Sequence, residues 1–305
     1  MLNIVGKKNT YFVLSAILIL TAIVGTAIFG LKEGIDFRGG TLWQFSISET
    51  TPKLNELENF FQDKLGLKDI KLSFSSNNET FLARLPETGE EDHQKFFALL
   101  RDKFPSLKEL VFQSIGPSVG KELRESALRA LILTLIGISL YIAFAFRKVS
   151  RPVSSWKYGV VTLFTLFHDV VIPVGLLAFL GRYLDIEIDT NFAVALLVVA
   201  GFSVHDTIVV FDRIRESLSK ERGNTPFETI VNQSVNQTIV RSVNTSLTLI
   251  LVLIALLLTG PQTLHYFVLT LLTGVVTGIY SSIFIASPLL VVWHNFGKSG
   301  VKAKR

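Results

Sequence analysis

His168, Asp169, His205, Asp206 and Arg241 are ionisable side chains inside long apolar runs of this sequence. A carboxylate inside a bilayer costs a few kcal/mol to insert and faces a bundle interior or a wet cavity, so its default reading is a proton or ion path. Asp206 falls in an apolar run over 191–211, roughly 8 Å from the end nearer the basic segment that follows. In the next run, Ser234, Thr238, Arg241, Thr245 and Thr248 recur at steps of four and three, which places them on one helical stripe. If these two helices run antiparallel, Arg241 is the expected partner of Asp206, with Ser203 and Thr207 lining the same wall. Pairing holds a carboxylate ionised whereas burial favours its neutral form, so motion that parts the pair moves a proton. The alternative is a structural brace, with Arg241 snorkelling to the lipid heads.

Asp169 lies roughly 16 Å along its own run from the basic end. It is either a second relay carboxylate or a hydrogen-bonding group to a neighbouring helix. His168 and His205 each precede an Asp; each is expected on a different face from it, in a packing or polar-glue role.

The elements that must position these residues follow from composition. The 305 residues are 49% hydrophobic and only 18% charged, with a mean hydropathy of +0.46, too apolar for an ordinary soluble protein. Six runs reach the roughly 20 residues that span a bilayer: 11–30, 127–146, 158–180, 191–211, 239–260 and 266–293. Lys7 and Lys8 flank the first, which is longer than a signal-peptide core and is not followed by a small-x-small cleavage pattern at Leu31-Lys32-Glu33, so it reads as a retained helix. The expected fold is a polytopic α-helical membrane protein of six transmembrane helices. The first helix with its N-terminus takes 1–30, a polar domain 31–126, a five-helix bundle 127–297 and a basic tail 298–305.

Lys and Arg in short loops orient the chain. Lys7, Lys8, Arg147, Lys148, Arg151, Lys157, Arg213, Arg215, Lys220, Arg222, Lys298, Lys302, Lys304 and Arg305 share one side; the opposite loop carries Arg182 beside Asp185, Glu187 and Asp189. Both termini are expected in the cytoplasm and the polar domain outside. The net charge of +5 is then the topology signal, aided by attraction to anionic lipid heads, and no nucleic-acid motif accompanies it. Within the cytoplasmic loop 212–238, apolar Ile214, Leu218, Phe227, Ile230 and Val231, interrupted by Gly223-Asn224-Thr225-Pro226, suggest helices lying at the membrane surface. Gly274, Gly278, Ser282 and Ala286 recur every four residues, a stripe that lets helices approach closely, within the bundle or toward a partner subunit.

The polar domain reads as strands at 41–47, 70–74, 81–85 and 110–114 with helices over 52–65 and 90–104, the second strand pair joined by a turn-rich loop at 75–79. That βαββαβ order is the ferredoxin-like split arrangement. His93 stands on a charged helix face and is expected to be solvated, and Gly39-Gly40 to form a tight turn into the first strand. The sequence holds no cysteine and hence no disulfide, and neither His-Glu-x-x-His nor Gly-x-Ser-x-Gly occurs. No catalytic residue, metal or cofactor is expected. A membrane aspartyl hydrolase would need Asp169 and Asp206 at one depth and a Gly-x-Gly-Asp segment, which is missing.

Three segments resemble the SecD/SecF family. They are Gly34-Ile35-Asp36-Phe37-Arg38-Gly39-Gly40-Thr41, Ile115-Gly116-Pro117-Ser118-Val119-Gly120, and the run from Val204 through Asp212 and Arg213 to Glu216, the last like the family's SecF branch. The resemblance covers nearly the whole chain. It implies an accessory subunit of the bacterial Sec export machinery in the plasma membrane, related to the RND transporters. Such a subunit pairs with SecD and uses a proton or sodium gradient to help draw unfolded polypeptide from the SecYEG channel, with YajC as a further partner. It also implies that Asp206 and Arg241 carry the ion coupling, that SecD supplies a further carboxylate, and that the protein is not an enzyme. A passive assembly scaffold and an RND-type half of a small-molecule transporter are the alternatives.

Overall fold

The computed structural model describes residues 1–48, 52–67, 70–75, 79–147, 153–221 and 225–302. Lys148, Arg151, Arg222, Gly223, Asn224, Lys304, Arg305 and the loop tip 76–78 lie outside the described residues. The chain divides into two compact units, Glu33–Ala127 and the remainder, Met1–Lys32 with Leu128–Arg305.

In the smaller unit, α2 (Ile35–Arg38) leads into β1 (Gly40–Ile47), followed by α3 (Leu54–Asp63), β2 (Lys71–Ser75), β3 (Thr80–Leu85), α4 (Glu90–Lys103) and β4 (Leu107–Ile115). The strands form one antiparallel sheet ordered β2-β3-β1-β4. Burial alternates along β1 and β3, as one covered face requires. The covered face carries Trp43, Phe45, Ile47, Phe81, Ala83 and Leu85, packed with Leu57 and Phe61 of α3 and Leu100 of α4. The register of β1 on β4 slips at Gln44/Phe45, so Leu110 has no opposite residue, as in a β-bulge.

His93 is not solvated. It is 3% exposed, its ring stacked at 3.6 Å on Phe112 with the edge of Trp43 at 5.2 Å. Its Nε2 lies 2.6 Å from Glu109 Oε2, the oxygen that also accepts from Trp43 Nε1. The charged residues around it in sequence sit on the outer face of α4, while His93 itself turns inward. Gly39 and Gly40 form the expected turn at φ of +83° and +129°, a region costly for any side chain with a Cβ. This turn meets the second motif. A Cβ on Gly39 would come within 2.7 Å of Pro117 Cα, and one on Gly120 within 2.9 Å of Gly39 N. The two glycine motifs therefore form one backbone contact.

Among the described residues, six stretches have the length and apolarity to cross a membrane. They are α1 (Lys8–Phe29) with the 3₁₀ turn before it, α5 (Pro117–Ala145), α6 (Ser155–Leu184), α7 (Thr190–Lys220), α8 (Phe227–Thr259), and α9 (His265–Ser281) continued through a π-turn at Ser282–Ala286 into α10 (Ser287–Lys302). The stretches 212–220 and 227–238 are not separate surface helices. They prolong α7 and α8 without a break, and their apolar residues Ile214, Phe227, Ile230 and Val231 are buried in the bundle.

Close approach replaces the hydrophobic effect as the organiser of helices in lipid. A Cβ on Gly175 of α6 would meet Ala22 Cα of α1 at 2.4 Å, and Gly159 sits against Ser139 O of α5, which donates its hydroxyl back to Gly159 O. The stripe of small residues packs α9 on α7: Gly274 faces Val199, Gly278 faces Ser203, and Ser282 Oγ lies 2.8 Å from Thr207 Oγ1. Its role is thus internal to the bundle.

Candidate functional site

Polar residues from four helices gather on either side of α7. On the α8 side, Asp206 is 2% exposed and Ser246 Oγ donates to its Oδ2 at 3.1 Å. On the opposite side, Asp169 of α6 is fully buried. Its Oδ2 accepts hydrogen bonds from Ser203 of α7 and from Ser281 of α9 (2.7 Å), and its Oδ1 lies 2.8 Å from His168 Nδ1. Thr207 and Ser282 close this cluster, each hydroxyl also reaching Ser203 O at 3.4 Å.

Arg241 does not pair with Asp206. Among the described residues no ion pair joins them, and Arg241 is exposed. The reason is phase. Ser246 marks the turn of α8 level with Asp206, and Arg241 lies five residues away, about 7.5 Å along the axis and about 140° around it. Arg241 instead lines a cavity of 360 Å³ with Thr238, Gln237, Val209, Asp212, Arg213 and Glu216. Within that wall Arg213 bonds Gln237 and Glu216, both at 2.6 Å, and Asp212 pairs with Arg215 at 2.6 Å. The cation nearest Asp206 is a histidine, if protonated: His205 Nδ1 lies 3.8 Å from Asp206 Oδ1.

The expected stripe on α8 is likewise corrected. Ser234 and Thr238 are buried, but Arg241, Thr245 and Thr248 are exposed, and burial passes instead through Ser242 and Ser246. A four-residue step advances about 40° around a helix, so the buried line winds as α8 crosses its neighbours. Thr238 and Thr245 spend their hydroxyls on carbonyls one turn back in α8.

Ser203 was expected on the wall of Asp206 and bonds Asp169 instead. His168 bends back onto Asp169 rather than facing away from it, because an imidazole is long enough to span the 100° between neighbours. The carboxylates differ in level by only about 4.5 Å, the rise from Ser203 to Asp206. They face different helices, which removes the paired-carboxylate geometry of a hydrolase. Among the described residues, no three His, Asp or Glu side chains converge as around a metal ion. Ser246, Ser281 and the π-turn escaped sequence reasoning; the only visible signal was a Ser-Ser pair, Ser281-Ser282, interrupting an apolar run. π-Turns occur often at functional sites.

Residues 95–296 match the family described as "Protein export membrane protein SecD/SecF, C-terminal". The chain belongs to the SecD/SecF family. The protein translocase subunit SecF of Thermobaculum terrenum is 44% identical over 305 residues, covering 97% of this chain and 95% of that one. The protein translocase subunit SecDF of Thermus thermophilus is 34% identical over 99% of this chain, which matches 40% of that protein. A crystal structure of SecDF from that organism, described as a translocon-associated membrane protein, superposes with a TM-score of 0.81 at 32% identity. The match covers 96% of this chain and 39% of the SecDF chain, so this chain spans about two fifths of that protein. Family membership makes this SecD/SecF protein a multi-pass membrane subunit of protein translocation.

Proposed function

We propose that this protein works as the SecF-type half of a motor, with SecD as partner, which uses an ion gradient to draw unfolded polypeptide through the SecYEG channel. The coupling ion is H⁺ or Na⁺, and Asp206 is the residue that takes it up. One observation carries this reading. Asp206 is buried in a membrane-length helix with a serine as its hydrogen-bond partner and no ion pair to Arg241. A carboxylate so placed is costly to keep charged, and a neutral or ion-bound form relieves that cost. Arg241 stands in the adjacent cavity, where a shift of α7 along α8 would bring it nearer. The excess of Lys and Arg over the short loops supports cytoplasmic termini, with Glu33–Ala127 outside and folded in the ferredoxin-like arrangement of its strand order. That unit is suited to grip or push a polypeptide.

The test compares the wild type with Asp206→Asn, each assembled with SecD, for gradient-driven export into inverted vesicles. Loss of the gradient-dependent component with assembly intact supports the reading. Unchanged export makes Asp206 a brace and the protein a scaffold.

A further inference from the structure

The fully buried pair His168–Asp169 is more than a second polar spot in the bundle, because two of the helices that meet there depart from regular helical hydrogen bonding near its level. In α6, Pro173 lacks an N–H and therefore leaves the carbonyl four residues back, that of Asp169, without its helical hydrogen bond. In the last span, the π-turn Ser282–Ala286 begins immediately after Ser281, the residue that donates to Asp169. The third helix, α7, supplies Ser203 at the point where Gly278 lets α9 approach, a Cβ on Gly278 falling 3.1 Å from Ser203 Cβ.

The chemistry is that of an ion-exchanging site rather than a closed brace. The carboxylate receives three donors from three helices. When His168 donates through Nδ1 to Asp169, its Nε2 is left as a bare lone pair. That atom is buried and has no hydrogen-bond partner among the described residues. A buried acceptor left unpaired costs about 1–3 kcal/mol, and an apolar residue of the same shape would avoid that cost. The groups that face the pair are Ser203 of α7, with Asp206 one turn away, Ser281 and the ring of Tyr280 from α9, and Tyr11 of α1, whose carbonyl holds the Tyr280 hydroxyl. None of these is a Lys or Arg, and among the described residues the ion pairing of Asp169 is with His168, when that ring is protonated.

We propose that His168–Asp169 is a second station for the coupling ion, held between α6, α7 and α9, and that Asp206 is not the sole exchanging carboxylate of this chain. This rests on the motor reading given above. As a proton site, His168 Nε2 receives the proton, Nδ1–H passes its own to Asp169 Oδ1, and the reverse order releases it, with no net bond made or broken elsewhere. As a sodium site, Asp169 with the Ser203 and Ser281 hydroxyls supplies the oxygens.

The experiment measures gradient-driven export into inverted vesicles, for the complex with SecD, under an imposed proton gradient and under an imposed sodium gradient. Asp169→Asn keeps an acceptor for both serines but cannot change charge. The expected result is at least a tenfold loss of gradient-dependent export under the gradient that drives the wild type. Ser281→Ala, which removes one donor and leaves the carboxylate, is expected to shift the midpoint of the activating ion by about tenfold in concentration, about one pH unit for protons. Wild-type export and midpoint in both variants overturn the proposal. If Asp169→Asn fails to assemble, the midpoint in Ser281→Ala decides alone. Asp206→Asn separates the two claims: loss there with no change in either variant refutes the second station only, while no loss in Asp206→Asn removes the motor reading itself.

Discussion

Replacing Gly274 by Ala tests how little slack separates α7 from α9. The new Cβ would lie 2.2 Å from Val199 Cγ2, 2.6 Å from Cγ1 and 2.9 Å from Cβ. Ordinary carbon contacts are about 3.5–4.0 Å, so the shortfall is more than 1 Å. Rotating Val199 relieves nothing, since both branches and the Cβ itself are too near and β-branched side chains are stiff at χ1. The helices must part by on the order of 1 Å. That opens the Thr207–Ser282 hydrogen bond from 2.8 Å beyond the roughly 3.5 Å at which such a bond is lost. Overpacking costs about 1–3 kcal/mol and the lost bond about 0.5–1.5 kcal/mol, together about 2–4 kcal/mol. At about 2–4 °C per kcal/mol for a unit of this size, the midpoint of thermal unfolding in detergent, followed by tryptophan fluorescence, should fall by about 5–15 °C.

Val199→Ala removes both Cγ atoms and leaves only the 2.9 Å contact. The double variant should therefore be more stable than the sum of the single changes by about 1–2 kcal/mol, the range for residues in contact. A wild-type midpoint in Gly274→Ala, or strictly additive single changes, would show that α7 and α9 do not approach as described.

Three further outcomes are expected. Gly175→Ala should loosen α1 from α6 more severely than Gly274→Ala, because the new Cβ meets backbone, Ala22 Cα at 2.4 Å, whereas Gly25→Ala on the same helix pair finds open space and should be neutral; thermal unfolding in detergent compares the two. Asn232→Ala with Asn236→Ala removes the side chains that bind the backbone of Leu2, Ile4 and Val5, and amide exchange of those residues should quicken by on the order of tenfold or more, at about 1 kcal/mol per bond. In the smaller unit, hydrogen bonds from Gln94 first and then His93 hold Glu90 below the ordinary carboxylate range. Such a group stabilises the fold above its unfolded value and loses that contribution as pH falls through its lower folded value. Glu90→Gln should therefore lower stability at pH 7, read from denaturant unfolding, and leave stability at pH 2 unchanged.

What the sequence disclosed depends on how local the cause is. Period-two alternation placed β3 within a residue, because one covered face imposes it on the strand itself, and a run of apolar and β-forming residues did the same for β1. The spacing Gly274, Gly278, Ser282, Ala286 likewise announced a close approach, since only small residues permit one. His93 was misread because its flanking charges suggest a solvated face, while the groups that bury it, Trp43 and Phe112, come from strands distant in sequence. Arg241 was misplaced for a related reason. A stripe at steps of three and four is straight on an isolated helix, but α8 crosses its neighbours at an angle and buries a winding line through Ser242 and Ser246. No count along one helix contains that crossing angle. Ser281 was invisible because its importance comes from a partner 112 residues earlier, and from a π-turn that replaces the ordinary helical register.

The arrangement around α7 bears on how a charge change at Asp206 reaches the rest of the bundle. Asp206 meets α8 through one hydroxyl, an interaction of about 1–2 kcal/mol that neutralising the carboxylate weakens. On the far side, by contrast, α7 is interlocked with α9 at Val199 against Gly274 and Ser203 against Gly278, contacts with no room to slide independently. On the proposed reading, α7 therefore moves relative to α8 while carrying α9 with it. A continuous α-helix would resist that displacement along its whole length. The last span instead has its weak point at Ser282–Ala286, directly beyond the interlocked stretch and next to the serine bound to Asp169. On that reading, motion set off at Asp206 reaches the hydrogen bonds of Asp169, and the two carboxylates are coupled mechanically without touching.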